Sequence, residues 1–356
     1  MLHNQHLECI IVSRDERFFR LRNTIPARCL TQPHPILANM YTPAATPLAT
    51  LWSVARELWR HFTAVALYVS VIEYLDIRYE WKENAFPLPV IAIMGTVIGL
   101  LLAFRTNSCY GRWWEARILW GAIVNDSRTW TRQLIEFASS TDLEATDLEA
   151  TDLEATHAET QMVVTRMCHR QIAWCYSLSR SLRGQEPTQD LANLLTETEI
   201  QTISEKHVPN LLLLSQGQEL RALKQQGCIE TFEFIELEKT LTRLTNAMGG
   251  CERIRNTTFP RSYTRIINLL IYLFVVCLPF GLVTLPWFGL VSTSISFAFA
   301  FLMVDRVSIF LQDPFSNRPS DTPTRSLSRT IEINIREMLG ETDLPDKINP
   351  MNGILM

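Results

Sequence analysis

Thr96, Leu100 and Phe104 have a spacing that could do physical work, because residues four apart share one face of a helix. They lie at the end of the nineteen uncharged positions from Phe86 to Phe104, and Asn107 and Ser108 continue the same face into polar sequence. Such spacing is typical of a core or a lipid contact. If the same side chains surround a watery passage, they form a narrow apolar ring that can close by losing its water.

The sequence directly after this run, FRTNSCYGRWWEAR from Phe104 to Arg117, is dense in polar and aromatic residues. A ligand pocket is one interpretation of it. The favoured interpretation is a cluster of aromatic rings and ion pairs that joins a membrane helix to an aqueous domain. The residues concerned are Arg105, Arg112, Trp113, Trp114, Glu115 and Arg117.

Catalytic and metal-binding patterns are missing from the sequence. It has no HExxH, GxSxG or P-loop motif. None of the scattered histidines His61, His157, His169 and His207 pairs with a cysteine or a second histidine at metal-ligand spacing. The eight cysteines form no CxxC pair, which predicts reduced thiols. Gly249 and Gly250 are too short a run to hold phosphate and predict a close helix contact instead. We therefore expect no enzyme activity, cofactor or metal.

The composition favours a membrane protein. Hydrophobic residues make up 47% of the chain and charged residues 20%, and the hydrophobic ones are clustered into long runs. The net charge is −4, and the basic residues do not gather into a stripe that would neutralise a phosphate backbone. The lipid membrane is thus an expected partner, and nucleic acid is not.

The longest apolar run predicts two membrane spans. Thirty-nine residues from Ile266 to Val304 carry no charge, and as one helix they would reach about 58 Å, nearly twice the thickness of the hydrocarbon layer. Proline and glycine residues near its middle, such as Pro279 and Pro286, mark a turn. Spans of 264–282 and 287–306 are expected.

Two further spans are expected earlier in the chain, at 61–75 and 86–104, although the first of them is short. Seven arginines precede Phe62, and more follow the second and fourth spans, which places these flanks in the cytoplasm. Both termini are then cytosolic. Whether the membrane is a plasma membrane or a thylakoid membrane stays open.

These expectations divide the chain into five parts. They are a cytosolic segment at 1–60, two spans at 61–106, a cytosolic helical domain at 107–262, two spans at 263–306 and a cytosolic segment at 307–356.

An internal repeat, TDLEA three times, lies within the insertion 141–156. Its leucines are five residues apart and never align into one helical stripe, so a solvated acidic insertion is favoured over a binding tract. We expect that it can be deleted without loss of function. Helical periodicity is found before and after the insertion, at Trp113 to Phe137, Thr160 to Leu182 and Phe232 to Ile254.

The chain resembles the bestrophin family of pentameric ion channels, and most closely its bacterial and chloroplast members. The similarity is carried by Phe104 to Asp126, GGCERIRNTT at 249–258, LPFGLV at 278–283, DPF at 313–315 and RTIEINI at 329–335. The resemblance implies an all-α homopentamer with four membrane helices per subunit, a large cytosolic helical domain and a central pore.

In bestrophins, three apolar residues eight, twelve and sixteen positions before the arginine of the RWW motif form a hydrophobic neck. The matching residues here are Phe104, Leu100 and Thr96, and Thr96 departs from the pattern by being polar. The resemblance implies passive conduction of small anions such as chloride or bicarbonate. A cation-selective channel is the first alternative, and a membrane scaffold that passes no current is the second.

Bestrophins have two other features that can be compared with this sequence, a second constriction and a Ca²⁺-binding segment. A second constriction at the cytosolic exit is expected at Leu211 or Leu212, with a leucine core stripe as the alternative. The segment that clasps Ca²⁺ in animal bestrophins corresponds to Asp313 to Asp321, which has two separated acids and an intruding Arg318. We predict no tight Ca²⁺ site there, because Ca²⁺ needs six or more oxygen ligands.

Overall fold

The computed structural model describes residues 47–79, 87–139, 150–189, 191–203, 207–257, 259–318 and 321–349. These residues form α-helices and connecting turns, with no strand among them, so the all-α prediction is confirmed over this part of the chain. The helices are α1 (Pro47–Tyr79), α2 (Leu88–Ser139), α3 (Ala150–Leu182), α4 (Glu197–Ile203), α5 (Val208–Gln225), α6 (Thr231–Asn256), α7 (Arg261–Gly281), α8 (Trp287–Gln312) and α9 (Thr324–Met338).

Helix α2 is one uninterrupted helix of 52 residues. At 1.5 Å per residue it is about 78 Å long, more than twice the hydrocarbon thickness of a bilayer. The sequence predicted a span at 86–104, helical periodicity from Trp113 to Phe137 and a domain boundary at residue 106. One helix runs through all of these positions, because no proline interrupts it after Pro89 and one buried stripe continues through the junction.

Three helices of the described chain are long and apolar enough to cross a membrane, namely α2, α7 and α8. The predicted turn lies at residues 282–286, where α7 ends at Gly281 and Pro286 precedes α8. Helix α1 is longer than its predicted span at 61–75, and it does not combine length and apolar composition to the same degree. It nevertheless packs against the others, since the Phe62 and Phe299 rings lie 5.5 Å apart and Tyr68 Oη donates to the Val276 carbonyl at 2.8 Å.

Two hydrophobic clusters hold the helices together. The membrane cluster joins α2, α7 and α8, with Phe274 packed edge-on against Phe301 at a centroid distance of 5.2 Å. The second cluster contains the fully buried Trp120, Trp130 and Trp174. Helix α2 contributes residues to both clusters. It therefore connects the helices that pack around one cluster to the helices that pack around the other.

The predicted close contact at the paired glycines is confirmed for one of them. A Cβ atom on Gly250 of α6 would lie 2.8 Å from Cδ1 of Leu119 on α2, whereas no neighbouring atom of the described chain lies within 4 Å of a Cβ on Gly249. Helix α6 therefore approaches α2 closely at Gly250. Residues 1–46 and 140–149 lie outside the described residues, so the first two TDLEA copies are not described apart from Ala150, and the third copy belongs to α3.

Candidate pore face and its anchors

The five residues predicted to share one face of α2 are all exposed in the single chain. They are Thr96, Leu100, Phe104, Asn107 and Ser108. Leu100 is 57% exposed and Phe104 60% exposed, although both lie at the end of the uncharged run. An open face of this kind, apolar at the membrane level and polar beyond it, is available to line a passage.

Two hydroxyl groups on this face are already engaged. Thr96 Oγ1 donates to the Ala92 carbonyl at 2.9 Å, and Ser108 Oγ donates to the Phe104 carbonyl at 3.0 Å. Because these hydrogens are used within the helix, the two side chains present oxygen lone pairs and carbon outward. Asn107, by contrast, carries an exposed amide whose N–H groups could contact a solute.

The opposite face of α2 is buried. Ile91, Ile98, Leu102, Arg105 and Cys109 are 0–3% exposed and are spaced seven, four, three and four residues apart, which places them in one helical stripe. The first three pack into the membrane cluster with α7 and α8. This packing fixes the rotation of α2 about its axis, and with it the direction of the exposed face.

Helix α8 is joined to α2 by polar contacts at a nearly constant sequence separation. Arg105 forms a buried ion pair with Asp305, and Thr106 Oγ1 lies 2.7 Å from Ser308 Oγ. The two contacting pairs are separated by 200 and 202 residues in the sequence, so the contacts advance along both helices in the same direction. The two helices therefore run in parallel here. Within the described chain, Nε and Nη2 of Arg105 have no hydrogen-bond partner, so Asp305 is the contact that compensates this buried charge.

Arg112 joins α2 to the ends of two other helices. Its Nε donates to the Gln312 carbonyl at 3.1 Å, and its Nη2 donates to the Ile254 carbonyl at 2.8 Å. The last carbonyls of a helix lack partners within that helix and carry partial negative charge. A guanidinium at this position satisfies carbonyls at the end of α8 and the end of α6 together.

The rest of the motif forms a cluster around the junction. The Tyr110 and Trp113 rings stack along α2 with centroids 5.8 Å apart, and the Arg117 guanidinium lies 4.5 Å from the Trp113 ring centroid. Glu115 pairs with Arg253 of α6. Since Arg112 and Glu115 reach α6 from α2, the geometry supports the joining role rather than a ligand pocket.

Asp305, which is the partner of Arg105, was not predicted from the sequence. Its signal was available, because Asp305 is the first charged residue after thirty-nine uncharged ones and Arg105 is the first after twenty-one. Two opposite charges that end two apolar runs at the same membrane depth predict an ion pair.

A profile of the family described as "Bacterial/Fungal Bestrophin protein" matches residues 45–337. The chain belongs to the bestrophin family. It is 32% identical over 266 residues to the voltage-dependent anion channel-forming protein YneE of Salmonella typhi, covering 74% of this chain and 81% of that protein. It is 30% identical over 284 residues to a voltage-dependent anion channel-forming protein of Ralstonia nicotianae, covering 80% and 85%.

Solved structures agree with this assignment. A crystal structure of a bacterial bestrophin homologue from Klebsiella pneumoniae superimposes with a TM-score of 0.68 at 29% identity, and the match covers 80% of this chain and 99% of that one. The all-helical fold is therefore a bestrophin fold, and the chain is an integral membrane protein.

The leucines proposed for a second constriction occupy different environments in this bestrophin. Leu212 is 1% exposed inside the second cluster, and Leu211 packs against that cluster. Leu214 is the exposed member of the run, at 54%. The core alternative therefore fits Leu212, because a side chain enclosed by its own subunit has no open surface to present to a passage.

Both acids of the segment 313–321 contact protein donors. Asp313 Oδ2 accepts from Arg255 Nη1 at 2.6 Å, and Asp321 Oδ2 accepts from the Arg318 backbone nitrogen at 2.9 Å. Burial raises the pKa of Asp321. Among the described residues, no group of three or more His, Cys, Asp or Glu side chains is arranged to hold a metal ion. The absence of a tight Ca²⁺ site stays a prediction.

The six described cysteines are free thiols, and five of them are buried. Burial raises the pKa of the thiols Cys168, Cys175 and Cys251, which belong to the second cluster, to about 12. These thiols stay protonated at neutral pH and therefore act as small apolar side chains.

Proposed function

We propose that several copies of this chain assemble around α2 and conduct small anions, such as chloride or bicarbonate, passively through a central pore. The observation that carries the proposal is the open face of α2. Leu100 and Phe104 are more than half exposed, whereas their neighbours Ile98 and Leu102 are buried against α7 and α8. Family membership and the names of the relatives support a channel rather than an enzyme.

The proposed assembly is a homopentamer with four membrane helices per subunit. Five copies follow from the resemblance to bestrophins, and α1 supplies the fourth span. Its contacts with Val276 and Phe299 support that role, since they place it beside α7 and α8. Cytosolic termini follow from the arginine-rich flanks of the spans.

In the proposed pore, Thr96, Leu100 and Phe104 form the neck. Apolar rings hold water and ions weakly, so an ion that enters also leaves, and a small change in width opens or closes the path. Phe104 rings that present their edges to the axis offer the positive rim of the ring quadrupole to an anion. Rings that present their faces would favour a cation instead.

Reversal potentials in planar bilayers or liposomes test this proposal. With asymmetric potassium chloride across the membrane, an anion channel reverses near the chloride equilibrium potential. Reversal near the potassium potential identifies the cation alternative, and a correctly assembled protein without current identifies the scaffold. Replacement of chloride by bicarbonate on one side then measures their relative permeability.

A further inference from the structure

The first turn of α2 beyond Phe104 carries four polar side chains, at positions 105 to 108. Each residue of an α-helix turns the chain by about 100° and advances it by about 1.5 Å. Asn107 therefore lies within about 20° of Leu100 around the helix, and about 4.5 Å past Phe104 along its axis. Ser108 is about 80° away from Leu100, at the edge of the open face. Asn107 is thus the polar residue that best continues the line of the proposed neck.

The other three polar side chains of this turn are engaged within the protein. Arg105 is buried on the opposite side of α2, where it pairs with α8. Thr106 Oγ1 donates to the Leu102 carbonyl at 2.8 Å, and Ser108 Oγ donates to the Phe104 carbonyl at 3.0 Å. The guanidinium charge and both hydroxyl hydrogens are therefore directed away from the open face.

The amide of Asn107 has a different environment. It is exposed, and it makes no hydrogen bond to another group of the described chain. A primary amide offers two N–H donors and one acceptor oxygen. Among the described side chains of this turn, Asn107 is therefore the one that can direct hydrogens to a solute on the open face.

An ion that enters the proposed neck loses part of its water. Leu100 and Phe104 replace none of the lost hydrogen bonds, because their side chains carry neither donors nor acceptors. For an anion such as chloride, the missing partners are hydrogen-bond donors. A ring of donors one turn beyond Phe104 shortens the dry part of the path, since polar groups that line a pore take the place of the hydration shell.

We propose that the Asn107 amides of the assembled copies form an anion-contact site, which replaces water around chloride at the end of the neck. The site rests on the proposed function, because it needs several copies of α2 around one passage. Amide N–H groups are uncharged, so they bind an anion weakly and release it quickly, as conduction requires. A charged donor on this face would hold the anion longer.

The decisive variant is Asn107→Leu, which removes the donors and nearly keeps the side-chain volume. Without donors, permeation depends more on how readily each anion gives up water, and this favours thiocyanate over chloride. With chloride on one side of a planar bilayer and thiocyanate on the other, the reversal potential gives the ratio of thiocyanate permeability to chloride permeability. That ratio is expected to rise by about two- to tenfold, which is the range that corresponds to one neutral hydrogen bond.

Two matched variants separate the donors from polarity in general. Asn107→Gln keeps both N–H donors and should keep the permeability ratio close to that of the natural protein. Ser108→Ala removes an exposed neighbouring hydroxyl whose hydrogen is engaged within the helix, so the ratio should again be unchanged. Equal changes in Asn107→Leu and Ser108→Ala, or a glutamine variant that behaves like the leucine variant, would contradict the site.

Asn107→Asp keeps the shape of the side chain and replaces the donors by acceptor oxygens. In asymmetric potassium chloride, its reversal potential is expected to shift toward the potassium equilibrium potential. The unfolding midpoints of the Asn107 variants should match that of the natural protein, because this side chain is exposed in its own subunit. An aspartate variant that is as selective for chloride as the natural protein would overturn the proposal.

Recordings from the natural protein separate failure of this site from failure of the proposed function. If the natural protein reverses at the potassium equilibrium potential or passes no current, the anion channel is wrong and the anion-contact site is wrong with it. If the natural protein conducts chloride and Asn107→Leu has the same permeability ratio, only the role of Asn107 is wrong.

Discussion

The two faces of α2 within the membrane are made of similar residues and yet occupy opposite environments. Leu100 is 57% exposed and Leu102, two positions later, is 2% exposed. Hydrophobicity cannot separate them, because both residues are leucine. What separates them is the position of α7 and α8, which cover one side of α2 only. The open side is thus defined by helix packing and not by composition.

Charge is also distributed unequally between these faces. Arg105 and Asp305 lie on the buried side, where they pair with each other, and the exposed stripe from Thr96 to Phe104 carries no charge. The comparison suggests a division of labour. The covered side fixes the helix with specific and costly contacts, while the open side would offer only weak interactions to an ion in the proposed pore.

The strongest test of the covered side is Asp305→Ala. The substitution leaves the Arg105 guanidinium buried without its counter-charge, which is expected to destabilise the protein by about 3–5 kcal/mol. Loss of assembled protein on size-exclusion chromatography and a lower unfolding midpoint would measure the effect. An unchanged midpoint would show that Arg105 can reach water or another partner.

A double variant separates charge from packing at this position. Replacing Arg105 with Met and Asp305 with Leu removes both charges and keeps apolar volume, so much of the lost stability should return. If the double variant is no more stable than Asp305→Ala, the ion pair acts through geometry that apolar residues cannot reproduce.

The leucine pair tests the comparison of faces directly. Leu102→Ala opens a cavity in the membrane cluster and is expected to cost about 2–4 kcal/mol. Leu100→Ala removes a side chain that packs little in its own subunit, so its effect on the unfolding midpoint should be much smaller. Similar losses of stability from the two variants would contradict the assignment of faces.

Conductance should respond in the opposite order. Leu100→Ala widens the proposed neck and is expected to increase current or weaken gating in liposome flux and bilayer recordings. Leu102→Ala should leave unitary conductance close to that of the natural protein in the channels that assemble. Unchanged conductance and selectivity for Leu100→Ala would remove this residue from the neck.

Much of the architecture was predictable because it depends on local patterns. The turn between α7 and α8 follows from the length of an apolar run and the prolines near its middle. The open face of α2 follows from four-residue spacing combined with a family resemblance. Spacing alone would not have chosen it, since Ile98 and Leu102 have the same spacing and are buried.

The missed features depend on contacts between distant segments. The sequence predicted a span at 86–104 and a helical stretch at 113–137, and the packing that joins them into one helix is visible only in the structure. The capping of two helix ends by Arg112 involves main-chain carbonyls of Gln312 and Ile254, and side-chain identity does not encode such contacts. Leu212 could not be told from Leu214 without knowing where α5 packs.

The paired glycines extend the comparison to the part of α2 that packs against α6. Gly250→Ala places a Cβ against Leu119, so the gain in helix propensity should be offset by overpacking and the net destabilisation should be about 1 kcal/mol. Gly249→Ala meets no neighbour and should stabilise the protein by up to about 1 kcal/mol. Thermal unfolding of the two variants side by side measures the difference. Equal shifts would show that Leu119 moves aside freely.

The smallest effect is expected at the Glu115–Arg253 pair, the exposed counterpart of Arg105–Asp305. The side chains of Glu115 and Arg253 are 43% and 63% exposed, so water and salt screen their attraction. Glu115→Gln should therefore cost about 0.2–1 kcal/mol, and the cost should shrink further in high salt. The buried pair should show almost no dependence on salt, because counterions do not reach it. A loss at Glu115 that rivals the loss at Asp305 would mean that assembly covers Arg253, and that this face of the junction is enclosed by a neighbouring subunit.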